Sequence, residues 1–565
     1  MKSRIRLIAA GIFLGLLLVL AGSATAASAP KVQFFWTADG REVFVQPEDK
    51  GKHQYVLYLP GAFKGQDPVI RTDKETPLIW DGTTYENGAT LPVSAYVGKS
   101  VTFSLSGAKT TETVTVMQGS EIPVLFFNVA DSDLKMPKTD IKQPADMIMI
   151  RRDGSLEAAE KLTTFKARGN SSSNAPKKPF VFKTENKVNL EGMGKNKTWI
   201  LLANWYDISL LRNQITMDLC REIGLTSTPD CHPADVYLNG NYNGLYLLSE
   251  KIQLKKNRLE IRDLEEAYEE VNGKEAYDKA PFRHGRGKAV LVTKWYGVKE
   301  EPEDITGGYL LEIEKPIYFQ DDEEYSGFVT DGLMCVTIKE PNHTGKQGVE
   351  YISALVDDFH NAAMEKDGIS KQTGKYYADY IDMLSFARVI CVEEFCSNLD
   401  VWAASRFMYK DSDSVDPLLY AGPGWDYDLT YGNKSNGLRK ADKVDYVYTR
   451  LGHTRYLWHW LLRHEDMQKL TRQVYDEQIL PAAEILLGRR EAPEGSTMKS
   501  IDAYRAEIAA SAGMNELRWK GNKIRGVAEE SGSNFEESVA YLKDWIATRT
   551  DALTENWQPG QGGKK

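Results

Sequence analysis

Cysteine is scarce in this 565-residue chain, which holds only Cys220, Cys231, Cys335, Cys391 and Cys396. Five is too few, and odd in number, for a disulfide scaffold, and none of the spacings makes a zinc site. Cys220 and Cys231 could pair in an oxidising compartment, whereas Cys391 and Cys396 fall in one apolar helical pattern that suits buried thiols. Positive charge is also in deficit, with 70 Lys and Arg against 80 Asp and Glu. That balance argues against sequence-independent nucleic-acid binding, which needs clustered cations. After the opening residues no segment reaches the roughly 18 to 20 consecutive apolar residues of a bilayer span. Aromatic residues make up 10% of the chain, an ordinary share that needs no sugar-binding explanation. There are no internal repeats.

The beginning of the chain is informative. Lys2, Arg4 and Arg6 precede an apolar run from Leu7 to Leu20, and small residues follow through Ala24-Thr25-Ala26. That order reads as a signal peptide over residues 1–26, with a retained membrane anchor as the competing reading. Cleavage removes three basic residues and takes the net charge from −10 to −13. The expected location is therefore secreted or cell-surface, outside the cytoplasm. The remaining chain of about 540 residues exceeds one ordinary core and implies two or three domains.

From about Lys31 to Gln118 the pattern is that of strands. Tyr55-Val56-Leu57-Tyr58-Leu59 ends in Pro60-Gly61, and Val101-Thr102-Phe103-Ser104-Leu105 precedes Thr113-Val114-Thr115-Val116. Alternation punctuated by Gly, Pro and Asp-Gly turns predicts a small antiparallel sandwich over residues 27–120, with no titratable cluster, read as a binding or spacing module. Mixed strands and helices begin at Ile122. Val236-Tyr237-Leu238 and Leu245-Tyr246-Leu247-Leu248 flank Asn239-Gly240, a dipeptide that predicts an antiparallel hairpin. Leu210 to Ile223 reads as a helix ended by Gly224. Tyr376 to Cys396 carries an apolar face of Met383, Phe386, Ala387, Ile390 and Cys391, and its end delivers Asn398-Leu399-Asp400 to the surface. Beyond Asn433 the chain turns helical, with Asn534 and Glu537 forming a capping box. Residues 269–288 and 492–500 read as surface insertions, and 558–565 as a disordered tail.

Three clusters could carry chemistry. Arg168-Gly169-Asn170-Ser171-Ser172-Ser173 is followed by a basic, apolar strand ending at Lys183. A Gly among small polar residues can bring backbone N–H groups to an anion, and a strand-end Lys can offer a fixed charge to phosphate; a solvated basic strand is the plainer alternative. Glu250-Lys251-Ile252 follows the hairpin, either as a connector beside an adenine ring or as a surface ion pair. Asp426 and Asp428, in Gly422-Pro423-Gly424-Trp425-Asp426-Tyr427-Asp428, stand two apart. On an extended strand both carboxylates would share a face and require a cation: Mg²⁺ or Mn²⁺ bridging phosphates, structural Ca²⁺, or instead a glycosidase pair.

Several of these residues recur in a recognisable order. Arg168 to Ser172, Lys177-Lys178-Pro179-Phe180, Trp199 to Asn204, Leu211-Arg212-Asn213, Val236 to Gly240, Gly244 to Ile252, Asn257-Arg258 and Trp425 to Asp428 together resemble the CotH family of secreted protein kinases. The resemblance implies an α+β, atypical protein-kinase-like domain over 121–557, helical from about 434, behind the sandwich. It implies ATP and Mg²⁺ or Mn²⁺ as cofactors and transfer of the γ-phosphoryl to protein Ser or Thr. Asp400 would handle the proton of the acceptor hydroxyl. Asp426 would be the principal metal ligand, with Asp428 and Asn433 as further candidates. Arg168 and Lys183 would contact phosphate, Glu250, Lys251 and Ile252 would flank adenine, and Asn204 and Arg212 would support the site. The chain has no Gly-x-Gly-x-x-Gly loop ahead of the basic strand, and no His-Arg-Asp or Asp-Phe-Gly triplet; the family lacks them too. A catalytically silent, kinase-like surface protein is the alternative to an active kinase. The acceptor protein, possibly basic, is not named by the sequence, nor is the oligomeric state.

Overall fold

The computed structural model describes residues 31–130, 145–169, 172–256, 258–279, 282–284, 292–321, 325–398, 404–434, 440–444 and 457–561. The expected signal peptide lies outside them. Among the described residues no helix is long and apolar enough to cross a membrane.

The first strands form two sheets. Val32–Ala38, Arg41–Val45 and Val69–Thr72 make a three-stranded sheet, and Gln54–Leu59, Leu78–Trp80, Ser100–Leu105 and Glu112–Gln118 belong to a six-stranded one. Period-two alternation turns Val32, Phe34 and Trp36 inward. There Phe34 meets Trp80 edge-on at 5.9 Å and Trp36 stacks on Phe63 at 5.2 Å. One expectation changes: Gln54–Leu59 and Glu112–Gln118 pair in parallel, so the arrangement is not purely antiparallel. This unit also packs straight onto the next one. Tyr58 stacks on Tyr242 at 4.9 Å, and the Tyr237 hydroxyl donates to the Tyr58 carbonyl at 3.1 Å.

Residues 124–250 close into a seven-stranded barrel. Its neighbours pair antiparallel except Val124–Val129, which runs parallel to Cys231–Leu238 and seals the ring. Phe127, Met147, Phe165, Phe180, Phe182, Trp199 and Leu248 belong to its own buried core. The hairpin forms where the sequence indicates, with Asn239 (φ 48°) and Gly240 (φ 78°) between Leu238 and Asn241.

A second seven-stranded sheet follows, in which Tyr309–Glu314 lies between Cys335–Glu340 and Arg406–Lys410. Helices pack around it. The Arg212–Glu222 helix ends at Gly224 (φ 89°), as expected. The helix expected from Tyr376 begins only at Met383, because Ile381 is bridged to Leu419 and Asp382 caps the Ser385 N–H at 2.7 Å. Phe535–Asn556 is capped by Asn534, which accepts the Glu537 N–H, while the Glu537 carboxylate accepts the backbone N–H of Ser533, one residue earlier than the expected box.

Residues 269–278, expected as part of a surface insertion, are largely exposed and helical, within Leu264–Asn272 and Lys274–Asp278, and are anchored by the buried Tyr277, which stacks on Tyr268. Two further expectations are corrected. The tail is docked as far as the description reaches, with Pro559 buried beside the buried Trp557. Cys220 and Cys231 are not paired; all five cysteines are free and buried.

Candidate functional site

The barrel and the second sheet enclose a cleft made of two confluent cavities. One, of about 230 Å³, is walled by Ile200, Ile252, Leu310, Phe407 and Trp425, with Lys251 and Glu340 at its edge. The other, of about 340 Å³, is lined by Gly169, Asn204, Glu314, Ser405, Asp426 and Asp428 among others. Arg168, Glu312, Lys339 and Trp425 line both. A slot with apolar walls and a charged border thus opens into a chamber of opposed charges.

Strand alternation sets those charges. Glu312 and Glu314 lie two apart on one strand, and Lys339 on the neighbouring strand pairs with Glu312 at 3.2 Å. Arg168 leaves the barrel strand Leu156–Ala167 and rests over the Trp425 ring at 5.6 Å. Burial lowers its pKa, while Asp426 and Glu312 pull it back up. At the apolar end, burial raises Glu340 to about 8 against the pull of Lys251, and burial lowers Lys251 against the pull of Glu340.

Asp426 and Asp428 are not on a strand. The strand Leu419–Ala421 ends before them, and Asp428 opens a turn. They still line one cavity, because the loop is pinned from behind. Gly424 has no room for a side chain, since a Cβ would collide with the Tyr427 hydroxyl and the Cys220 sulfur. The Tyr427 N–H donates to Asn213 Oδ1 at 2.8 Å, and Asn213 Nδ2 donates to Asn204 Oδ1 at 2.9 Å. The buried Arg212 is paired with Asp207 at 2.5 Å and donates from Nε to the Thr430 carbonyl at 3.1 Å. Asp426 itself is held at φ 70°, a strained value for a side-chain-bearing residue, and accepts from Ser405 Oγ at 2.9 Å.

The cleft gathers Arg168, Asn204, Lys251, Ile252, Asp426 and Asp428 of the residues singled out from sequence. Lys183 is elsewhere: Phe180 and Phe182 face the barrel core, so Lys183 points outward and is exposed. Glu250 faces away from the cleft and pairs with Arg258, which donates to the Met193 carbonyl at 3.1 Å. Burial raises Glu250 to about 7, with Arg258 opposing the shift. Arg212 and Asn433 stand behind the cavity. Asn433 Nδ2 holds the carbonyls of Asp428 and Tyr206, both at 2.6 Å, and its buried Oδ1 has no partner among the described residues. Asp400, Asn170 and Ser171 lie outside the described residues. Glu312 and Lys339 were not singled out from the sequence, and Asn213 only within the run Leu211-Arg212-Asn213; the alternating run Val336-Thr337-Ile338-Lys339 was the available signal for one of them.

Among the described residues no group of three or more His, Cys, Asp and Glu is arranged to hold a metal. The oxygen-rich cavity formed by Glu312, Glu314, Asp426 and Asp428 nonetheless has the donor chemistry of a hard divalent cation.

These features define an α+β protein whose barrel and antiparallel second sheet enclose one charged cleft. The chain matches the family model described as CotH kinase protein over residues 165–553 and belongs to that family, which suggests a kinase. Every cleft residue named above falls inside that match, and the two N-terminal sheets fall outside it. No curated protein matches the chain.

Proposed function

We propose that this protein is an exported, ATP-dependent protein kinase that passes the γ-phosphoryl to Ser or Thr of another protein. The observation that carries the reading is the junction of an apolar slot with a chamber in which Lys339–Glu312 and Arg168 face Asp426 and Asp428. The slot suits adenine, with Ile200, Ile252 and Leu310 against the ring and Lys251 at its edge. Arg168 and Lys339 neutralise phosphate oxygens, Lys339 taking the part expected of Lys183.

Asp426 and Asp428 would hold Mg²⁺ or Mn²⁺, with Asn433 supporting Asp428 from behind through the Asp428 carbonyl. When bound, that ion offsets the charge building on the transferred group. Asp400 takes the proton of the acceptor hydroxyl as its oxygen bonds to the γ-phosphorus and the bond to the ADP oxygen breaks. The remaining residues act by positioning: Asn213 and Arg212 fix the Asp426 loop so that little rearrangement is needed at the moment of transfer. An acidic protein of this kind is compatible with a basic acceptor.

The test is incubation with γ-labelled ATP, Mg²⁺ or Mn²⁺ and a basic, Ser-rich protein, beside Asp426→Ala. Label transferred by the wild type and lost in the variant supports the reading. No transfer, together with no metal-dependent rise in Tm on adding ATP, leaves a catalytically silent binding protein.

A further inference from the structure

A third cavity, of about 470 Å³, adjoins the charged chamber. It shares Asn204 and Trp205 with the chamber and no lining residue with the slot. The chamber with the carboxylates is therefore the one cavity of the three that adjoins both of the others. We propose that the third cavity seats a large apolar side chain, aromatic or leucine-like, of the acceptor protein, close in sequence to the Ser or Thr that receives phosphate. This inference rests on the kinase reading for the identity of its occupant.

Two observations support it. In phosphoryl transfer the attacking and leaving oxygens lie roughly in line, so the acceptor approaches from the side opposite the nucleotide. The third cavity reaches the chamber through Asn204 and Trp205, neither of which lines the slot assigned to the base.

The second observation concerns the lining. Trp205, Ile208, Leu210, Leu517, Trp519 and Ile524 supply its apolar surface, with the two indoles edge to face at 5.9 Å. Several of the polar groups around them are engaged within the protein, while Lys520 is exposed. Trp519 Nε1 donates to the Asn243 carbonyl at 3.1 Å, and Asn515 Oδ1 accepts the Leu245 N–H at 3.2 Å. Glu516 accepts from the Phe535 N–H, Asn534 from the Glu537 N–H, and the buried Lys177 donates to the Leu245 carbonyl. A ligand here therefore meets mainly apolar surface, with few free polar groups beside Lys520, which favours a hydrophobic side chain over a second nucleotide. Such an occupant would sit against Asn204, whose Oδ1 holds Asn213 and, through it, the Tyr427 N–H.

The experiment uses the full chain and fluorescein-labelled Ser peptides in which Trp, Phe, Leu or Ala is fixed at each position around the serine. Binding is read by anisotropy with ATP and Mg²⁺, and transfer with γ-labelled ATP. Ile524→Arg fills the cavity, and Ile524→Ser is the milder variant in case the first fails to fold. Both leave the nucleotide cleft untouched, so the ATP-induced Tm shift is the control. The expected result is one position at which Trp, Phe or Leu tightens binding about tenfold or more over Ala, with the preference lost in the variants. Transfer without any apolar preference, or a preference unchanged in both variants, overturns the inference and leaves the kinase reading standing. A preference that the variants abolish, without transfer to any peptide, keeps the docking site and overturns the kinase reading instead.

Discussion

Asn213 Oδ1 accepts the backbone N–H of Tyr427, the residue between Asp426 and Asp428, at 2.8 Å. A buried helix side chain thereby sets where two carboxylates on an irregular loop can point. Replacing it with leucine, of similar volume, strands that N–H and costs about 1–3 kcal/mol. The predicted outcome for Asn213→Leu is a folded protein with a Tm several degrees lower and a kcat for transfer reduced about tenfold to a hundredfold. An unchanged kcat would mean that the loop finds its geometry without this bond.

Asp426 sits at φ 70°, where glycine is at ease and aspartate is not. Asp426→Gly relieves that strain but makes the unfolded chain more flexible, so stability should stay within about 1 kcal/mol of wild type. Transfer and the metal-dependent ATP shift in Tm should disappear. A marked loss of stability in urea unfolding would show that the carboxylate serves the fold rather than the site.

Lys339 and Lys183 offer a direct contrast. Lys339 faces the cleft in a pair with Glu312, while Lys183 is exposed on the outer face of the barrel. Lys339→Met should weaken ATP binding by tenfold or more, by removal of a phosphate-facing charge. Lys183→Met should change it less than twofold, as surface charges at a distance are largely screened. Calorimetric titration with ATP and Mg²⁺ separates the two, and equal losses would contradict the assignment.

What the sequence made legible was local or chemical. Asn239-Gly240 dictates its turn by backbone conformation alone, and Gly224 stops its helix in the same way. Asp426 and Asp428 stood out because two nearby carboxylates require an explanation, although the strand imagined for them is a loop. Lys183 was the right residue type in the wrong phase: with Phe180 and Phe182 inward, alternation already turned it out. Lys339–Glu312 could not be read, since it exists only through the pairing of Tyr309–Glu314 with Cys335–Glu340. Barrel closure was hidden for the same reason, because Val124–Val129 meets its parallel partner only after the intervening strands have folded back.

Free, buried thiols make a plain prediction about redox. Burial raises Cys220 to about 12 and lifts Cys231, Cys391 and Cys396 as well, which holds them as unreactive thiols. Native protein should take up essentially no iodoacetamide label, denatured protein should take up five, and reductant should leave Tm unchanged. A reductant-sensitive Tm would indicate a disulfide.

His360 makes folding sensitive to acid. It is buried on the Lys346–Met364 helix, and neither ring nitrogen has a hydrogen-bond partner among the described residues. Burial depresses it from 6.5 to about 4, against a small opposing pull from Asp331. The unfolded chain binds a proton near pH 6.5 that the folded one refuses until about pH 4, so this group withdraws stability as pH falls across that window. The loss is on the order of 3 kcal/mol at most. Asp218, Asp235 and Glu250, raised by burial to about 6, 7 and 7, act in the opposite sense and gain stability as pH falls. The diagnostic quantity is therefore the difference between wild type and His360→Leu, measured by urea unfolding from pH 7 to pH 4. The wild type should lose ground on the variant throughout that range, and parallel curves would mean that the imidazole is hydrated or paired in solution.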